Sequence, residues 1–282
     1  MLDNKTEPMT SLALPAVNRC HSLSPATIPI SIDNADPVET FLDDLEIEAQ
    51  SHRAVHHPYL SALSTGDLPH PQAALRDFAF QYGCYSRGFT RYLCLTIARL
   101  ENASHQALLA ENFLEESGMV EEEKQEILRA EGIELGWIVG VPHHELYRRF
   151  QDAIGVKQDA NYCMEAEIWR ATFIDLLCNA DAARAVGAIG LGTEGVVRQL
   201  YQPLAAACRC YPHLRRKDAV FFELHCLVDD DHAAALRSIA CDLAQSEAGR
   251  QSLRLGMHQS LVLRATFWDA MYRRALAMGT TK

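Results

Sequence analysis

Proline is absent from three long stretches of the chain: between Gln72 and Val141, between His143 and Gln202, and from His213 to the end. Its ring clashes with the preceding turn and it offers no N–H, so proline breaks helix interiors, and these stretches are where long helices can run. They are rich in Ala, Leu, Glu, Arg and Gln, which favour helix. The segments "AALRDFAFQYGCYSRGFTRYLCLTIARL", "DANYCMEAEIWRATFIDLLCNADAARAV" and "RQSLRLGMHQSLVLRATFWDAMYRRALAM" repeat apolar residues at intervals of three and four, the period of a helix with one buried face. No stretch alternates convincingly at period two. "DPVETFLDDLEIEAQSHRAV" opens an earlier helix, with Asp36 as cap and Pro37 at the first helical position. The patterns predict an all-α fold, one domain over residues 36–282 with roughly seven to nine helices and no internal repeat.

Ahead of it, residues 1–35 carry Pro8, Pro15, Pro25 and Pro29 among Ser, Thr and Asn without a sustained period, and read as a flexible tail. A net charge of -11 with no basic stripe argues against a nucleic-acid partner. No uninterrupted run of about 18 apolar residues occurs, so no membrane-spanning helix is expected. The first twenty residues lack the basic region and apolar core of a secretory signal. The nine cysteines include no CxxC, and most sit in apolar helical patterns; reduced, buried thiols in a cytoplasmic protein fit that better than a disulfide framework.

One late segment, "FFELHCLVDDDHAAAL" from Phe221 to Leu236, places His225, Asp229 and His232 at i, i+4 and i+7. A helix turns about 100° per residue, so the three fall within roughly 60° of one another on one face. Imidazole nitrogen and carboxylate oxygen together suit iron, manganese or zinc. The run Asp229-Asp230-Asp231 instead favours a solvated stripe, whereas the apolar flanks favour burial and hence a need for partners. Glu194, in "GAIGLGTEGVVRQLYQPLAAA", is the only acid between Asp181 and Asp218. It reads either as a ligand or as an ion-pair partner of Arg198 at i+4. "LLAENFLEESGMVEEEK" offers Glu111, Glu115 and Glu116, and "GVPHHELYRRF" offers His143 and His144; surface exposure or capping is the alternative for all five.

Taken in order, an acid, a histidine, a glutamate about 50 residues on and HxxxDxxH about 30 further resemble the heme-oxygenase-like diiron oxidases. The resemblance rests on "NFLEESG" (Asn112 to Gly118), "HHELYRRFQDAIG" (His143 to Gly155), "GTEG" (Gly192 to Gly195) and "HCLVDDDH" (His225 to His232), and spans roughly residues 40 to 250. It implies a single heme-oxygenase-like helical bundle with six metal ligands. The family's first carboxylate stands two residues before a glycine, which selects Glu116, with Glu115 as rival. The histidine two before "EL" selects His143 over His144. Glu194 becomes the bridging carboxylate, and His225, Asp229 and His232 complete the set. One departure is the 24-residue connection "MVEEEKQEILRAEGIELGWIVGVP", longer than the family's usual link. The paired Glu-x-x-His motifs of ferritin-like diiron bundles are absent.

The resemblance further implies two Fe(II) ions, dioxygen as cosubstrate and oxidation of a small molecule. An amino acid or amine is expected, by N-oxygenation or oxidative C–C cleavage in natural product biosynthesis. A homodimer and an external electron donor are left open, and neither nucleic acid nor membrane is expected as a partner. A carboxylate-bearing substrate would want a buried arginine, for which Arg170 and Arg198 are candidates, each with an ion pair as alternative. Aromatic residues of "FAFQYGCYSRGFTRYL" and "EIWRATF" either line a cavity or form plain core. Two rival readings remain: a metal-free thiaminase-like enzyme on the same scaffold, and a noncatalytic helical interaction protein. Haem binding fits poorly, since one axial histidine needs no HxxxDxxH.

Overall fold

The computed structural model describes residues 36–158 and 161–279, excluding the side chains of 228–231. The tail expected over 1–35 lies outside the described residues. Among these the chain is helical, with no strand. Its helices are α1 (Pro37–Ser51), α2 (Pro58–Thr65), α3 (Pro71–Ser86), α4 (Phe89–Ile97), α5 (Ala103–Glu116), α6 (Glu122–Ala130), α7 (His143–Ala153), α8 (Met164–Asn179), α9 (Ala182–Val186), α10 (Val197–Ala207), α11 (Arg216–Leu243) and α12 (Glu247–Ala277). The chain is cut more finely than the seven to nine helices expected, because turns at Gly88 and Asn102 divide the proline-free span after Gln72.

The starts follow from capping. Asp36 Oδ1 accepts from the Val38 amide, with Pro37 at the first helical position, as the sequence predicts. Asn102, Asp181 and Ser246 do the same for α5, α9 and α12, each satisfying an amide that the first turn leaves bare. Pro203 does not break α10, which runs through it; the cost is the hydrogen bond its missing N–H cannot make.

Two antiparallel pairings place the site. On α7, His143, Leu146, Tyr147 and Phe150 form the buried face. Tyr147 meets Phe221 of α11 with ring centroids 4.9 Å apart, and Phe150 meets Phe222 at 5.0 Å. One turn back on α7 and one turn on along α11, the same register sets His143 against His225, ring centroids 4.8 Å apart at 68°. On the other side, His105 of α5 lies 2.8 Å from Asp242, and Glu115 lies 2.9 Å from His232. Equal steps in opposite directions mean that α5 also runs antiparallel to α11.

A third contact is made backbone to backbone. α9 is continued by a π-helical turn, Gly187–Leu191, in which the Gly192 amide donates to the Gly187 carbonyl at 3.0 Å. This segment lies directly on α12. A Cβ on Gly187 would stand 2.1 Å from the Leu253 carbonyl oxygen, and one on Gly256 would stand 1.9 Å from that of Arg184. Only glycine fits at either position. Of the described cysteines, all free thiols, Cys84 and Cys208 are buried and Cys94 is exposed, so the expected burial holds for only some of them. No helix among the described residues is long and apolar enough to cross a membrane.

Gly256→Ala should cost about 2–3 kcal/mol, since neither backbone can yield without shifting a helix. The urea unfolding midpoint reads it. Gly136→Ala is the control, because an added Cβ there meets nothing within 4 Å, and the midpoint should barely move.

Candidate metal centre

α5 ends on Glu116, and the turn that follows explains why a glycine stands two residues later. Gly118 adopts a left-handed φ of 95°, and a Cβ there would come within 2.7 Å of the Val141 backbone. The Gly140 amide donates to the Gly118 carbonyl at 2.8 Å. The chain leaving α5 and the chain entering α7 are thus clamped together, and His143, first residue of α7, comes to lie beside Glu116.

Glu116 and His143 are both buried, and Glu116 Oε1 lies 3.0 Å from His143 Nδ1 and 3.7 Å from His225 Nε2. Despite the distance, His143 Nδ1 and Glu116 are not in hydrogen-bonding geometry. Donor atoms that lie side by side without bonding to each other suit a common third body. His225 Nδ1 lies 2.6 Å from the Phe221 carbonyl. A carbonyl only accepts, so Nδ1 carries the proton and Nε2 keeps its lone pair for a ligand. Burial alone would push the Glu116 carboxyl up, but the imidazoles of His143 and His225 more than reverse this and hold it far below the usual carboxylate range. It is ionised at neutral pH.

The second half is built differently. Glu194 is buried and opens a 3-10 turn, Glu194–Val196, with Gly192 and Thr193 between it and the π turn. The irregular stretch is pinned by Thr193, whose hydroxyl donates to the Ala188 carbonyl at 3.0 Å and lies 3.1 Å from Ser260 of α12. A π turn followed by a 3-10 turn re-aims a side chain that a continuous helix would carry elsewhere, a frequent device at functional sites. Glu194 here joins Glu116 and His232. One donor atom from each of Glu116, His143 and His225 lies within 4.8 Å of the others, and the same holds for Glu116, Glu194 and His232. Among the described residues, the carboxylate common to both groups is Glu116.

Five of the six expected ligands, Glu116, His143, Glu194, His225 and His232, are therefore together. Asp229 falls in 228–231, whose side chains lie outside the described residues. Glu115 faces outward from the donor groups: Lys124 Nζ lies 2.5 Å from its Oε1, and His232 Nε2 lies 2.9 Å from its Oε2. Burial raises the Glu115 carboxyl, while His232 and Lys124 more than offset that and hold it below the ordinary range. As a carboxylate accepting from His232 Nε2–H, it leaves Nδ1 as the ring's acceptor. His144 is exposed, 3.6 Å from Glu145, and reaches only the cavity wall. Arg170 lines an outer groove with Arg87 and Arg91, and Arg198 another, beside Arg237, that reaches Glu194. Lys124 was not legible as a site residue, since "EEEKQE" reads as an exposed charged turn.

A small cavity opens onto Glu116, His143, Glu194 and His225, walled largely by the rings of Tyr82, Tyr85, Tyr147, Tyr201 and Phe221, with Ser86 and Arg87 also on its lining. The first aromatic segment singled out in the sequence thus contributes to the wall through Tyr82 and Tyr85. In the second, Trp169 and Phe173 are core. Mixed imidazole and carboxylate donors fit a divalent transition metal better than calcium or magnesium.

A family model described as iron-containing redox enzyme matches residues 76–265. No curated protein matches the chain. Among solved structures, a CADD-like protein of unknown function from Nostoc punctiforme superposes with a TM-score of 0.68 at 15% identity, over 85% of this chain and 98% of that one. A domain of unknown function with a heme oxygenase-like fold from Shewanella denitrificans gives 0.63 at 14%, over 85% and 94%. A TenA homolog from Pseudomonas syringae gives 0.62 at 13%, over 83% and 92%. At such identities the likeness establishes the fold, a heme-oxygenase-like helical bundle.

Cobalt(II) titration, followed by its visible bands, separates the two neighbouring glutamates. Glu116→Ala, which removes a donor from both groups, should abolish uptake of both equivalents. Glu115→Ala should keep both and weaken them by about 10–100-fold, the usual effect of losing an outer partner of a ligand.

Proposed function

The chain belongs to the family of iron-containing redox enzymes, and on that premise we propose that it is a cytoplasmic nonhaem diiron oxidase that uses dioxygen to oxidise a small metabolite. The observation that carries the reading is the place of Glu116 in both three-donor groups. Glu116, His143 and His225 would hold one Fe(II), and Glu116, Glu194 and His232 the other. Asp229, four residues after His225 on α11, is the sixth ligand in this proposal. Bound there, two Fe(II) ions supply electrons for reducing dioxygen and open positions at which it can bind.

The protein's own residues do the rest. The Phe221 carbonyl and Glu115 fix the tautomers of His225 and His232 by accepting their second N–H. The aromatic wall keeps water from the reacting substrate. As substrate we propose an amino acid or amine, oxygenated at nitrogen or cleaved at a C–C bond, of the kind met in natural product biosynthesis, with an external donor returning electrons. The fold likeness to a TenA homolog is equally compatible with a metal-free thiaminase-like enzyme. The buried donor set favours iron.

Anaerobic loading with Fe(II), then mixing with oxygenated buffer, tests the reading against a panel of amino acids, amines and fatty acids. The expected outcome is two irons per chain, one for each donor group. A transient visible band and oxygen uptake accompany it, and one substrate class accelerates both. His225→Ala should cut oxygen uptake by roughly a hundredfold or more, at least the loss seen on removing an outer partner. Iron that fails to bind, with no oxygen-dependent transient for any panel member, would leave the metal-free reading standing.

A further inference from the structure

Arg264, on α12, is 1% exposed, and among the described residues none of its three nitrogens has a hydrogen-bond partner. Its guanidinium carbon lies 5.1 Å from the Trp169 ring centroid and 5.7 Å from that of Tyr85, two rings that stack at 4.0 Å. Such contact offsets only part of the cost of burying a charge. The charge nonetheless persists. A guanidinium does not give up its proton in a protein, and the phenol rings of Tyr82, Tyr85 and Tyr201 surround it, with Tyr82 near but outside hydrogen-bonding geometry. A buried cation without an anion is a site whose counter-ion arrives from elsewhere.

The same three tyrosines line the cavity that opens onto Glu116, His143, Glu194 and His225. Tyr82 and Tyr201 spend their hydroxyls on each other, at 2.8 Å. The Tyr85 hydroxyl is buried with no hydrogen-bond partner, and its neighbour Thr193 is already committed to Ala188 and Ser260. One wall of the cavity therefore presents an unused O–H donor with a positive charge one layer behind it, while the iron-type donors hold another.

We propose that this wall is an anion subsite that takes the carboxylate of the substrate, with Tyr85 donating to it and Arg264 as the positioning residue whose charge balances it. The inference rests on the cavity being the substrate site of the oxidase reading. The buried Ser86 hydroxyl on the same cavity also lacks a hydrogen-bond partner, and a carboxylate, with two oxygens, suits two such donors. The carboxylate end would sit at Tyr85 and leave the rest of the molecule to face the metal donors. Arg170 and Arg198, the arginines the sequence suggested for this role, line other grooves.

The test uses iron-free protein, so it is blind to whether dioxygen chemistry occurs; failure of the oxidase reading would appear only in oxygen uptake. Binding of benzoate, hexanoate and L-leucine is compared with benzamide, hexanamide and L-leucinamide by calorimetry and thermal shift. At least one carboxylate should bind and raise the melting temperature while its amide does not. Arg264→Met should weaken that carboxylate by roughly ten- to a hundredfold, the loss of a charged partner, and leave its amide unchanged. Arg264→Lys should retain most of the preference, a rescue that a merely structural role would not produce. Tyr85→Phe, which alters one atom, should weaken the carboxylate in the same direction and covers the case in which Arg264→Met does not fold. The proposal is overturned if no carboxylate binds, if acid and amide bind alike, or if the preference survives in both Arg264→Met and Tyr85→Phe.

Discussion

An ionised carboxylate cannot rest in an apolar bundle without positive charge or a cation nearby, and Glu116 is both buried and ionised. Much of the surrounding architecture serves that constraint. α7 delivers His143 to one side of it, and α11 delivers His225 to another. Two antiparallel contacts set these approaches, one through Tyr147 and Phe221, the other through Glu115 and His232. Since α11 takes part in both, a slip of that helix by one residue would rotate its imidazoles about 100° away from the carboxylate. The aromatic contacts around Phe221 and Phe222 act against such a slip, because each side chain fills a place its neighbour on the helix cannot.

The all-helical class was legible because proline spacing and a three-to-four period leave few alternatives. His225, Asp229 and His232 were legible as a set because one helix carries them and helix geometry is fixed. Glu194 could be singled out by its isolation among glycines. Its aim could not, since a π turn followed by a 3-10 turn depends on how closely Gly187 and Gly192 approach α12. The choice between Glu115 and Glu116 turns on one step of about 100° at the end of a helix. Local pattern does not supply that phase; the packing of α6 and α11 does. Among the described residues the carboxylate shared by both groups is Glu116.

Arg264 shows the opposite failure. In "LVLRATFWDAMYRRA" an arginine every few residues looks like the polar side of an amphipathic helix, and Arg273 and Arg274 do pair with acids at the surface. Arg264 looks the same in the sequence, yet α12 is enclosed around it, with Ser260, Leu261, Ala265, Phe267 and Trp268 all buried. A charge on the inside is invisible until the helix has neighbours on every side. Its stability cost, together with the tight backbone contacts nearby, puts two expensive features of the fold within reach of one cavity, as expected where function rather than stability selected the residues.

The clamp between Gly118 and Gly140 also separates two lengths that are usually tied together. What fixes Glu116 against His143 is the contact across the neck, not the number of residues in the arch above it. Closing a longer arch over a neck already fastened costs little, since the entropy of loop closure grows only with the logarithm of length. The arch of residues 119–139 can therefore lengthen, shorten or be exchanged while the ligands stay in place. In this chain the arch holds α6, which brings Lys124 down onto Glu115, so that the connection is itself a partner of the site.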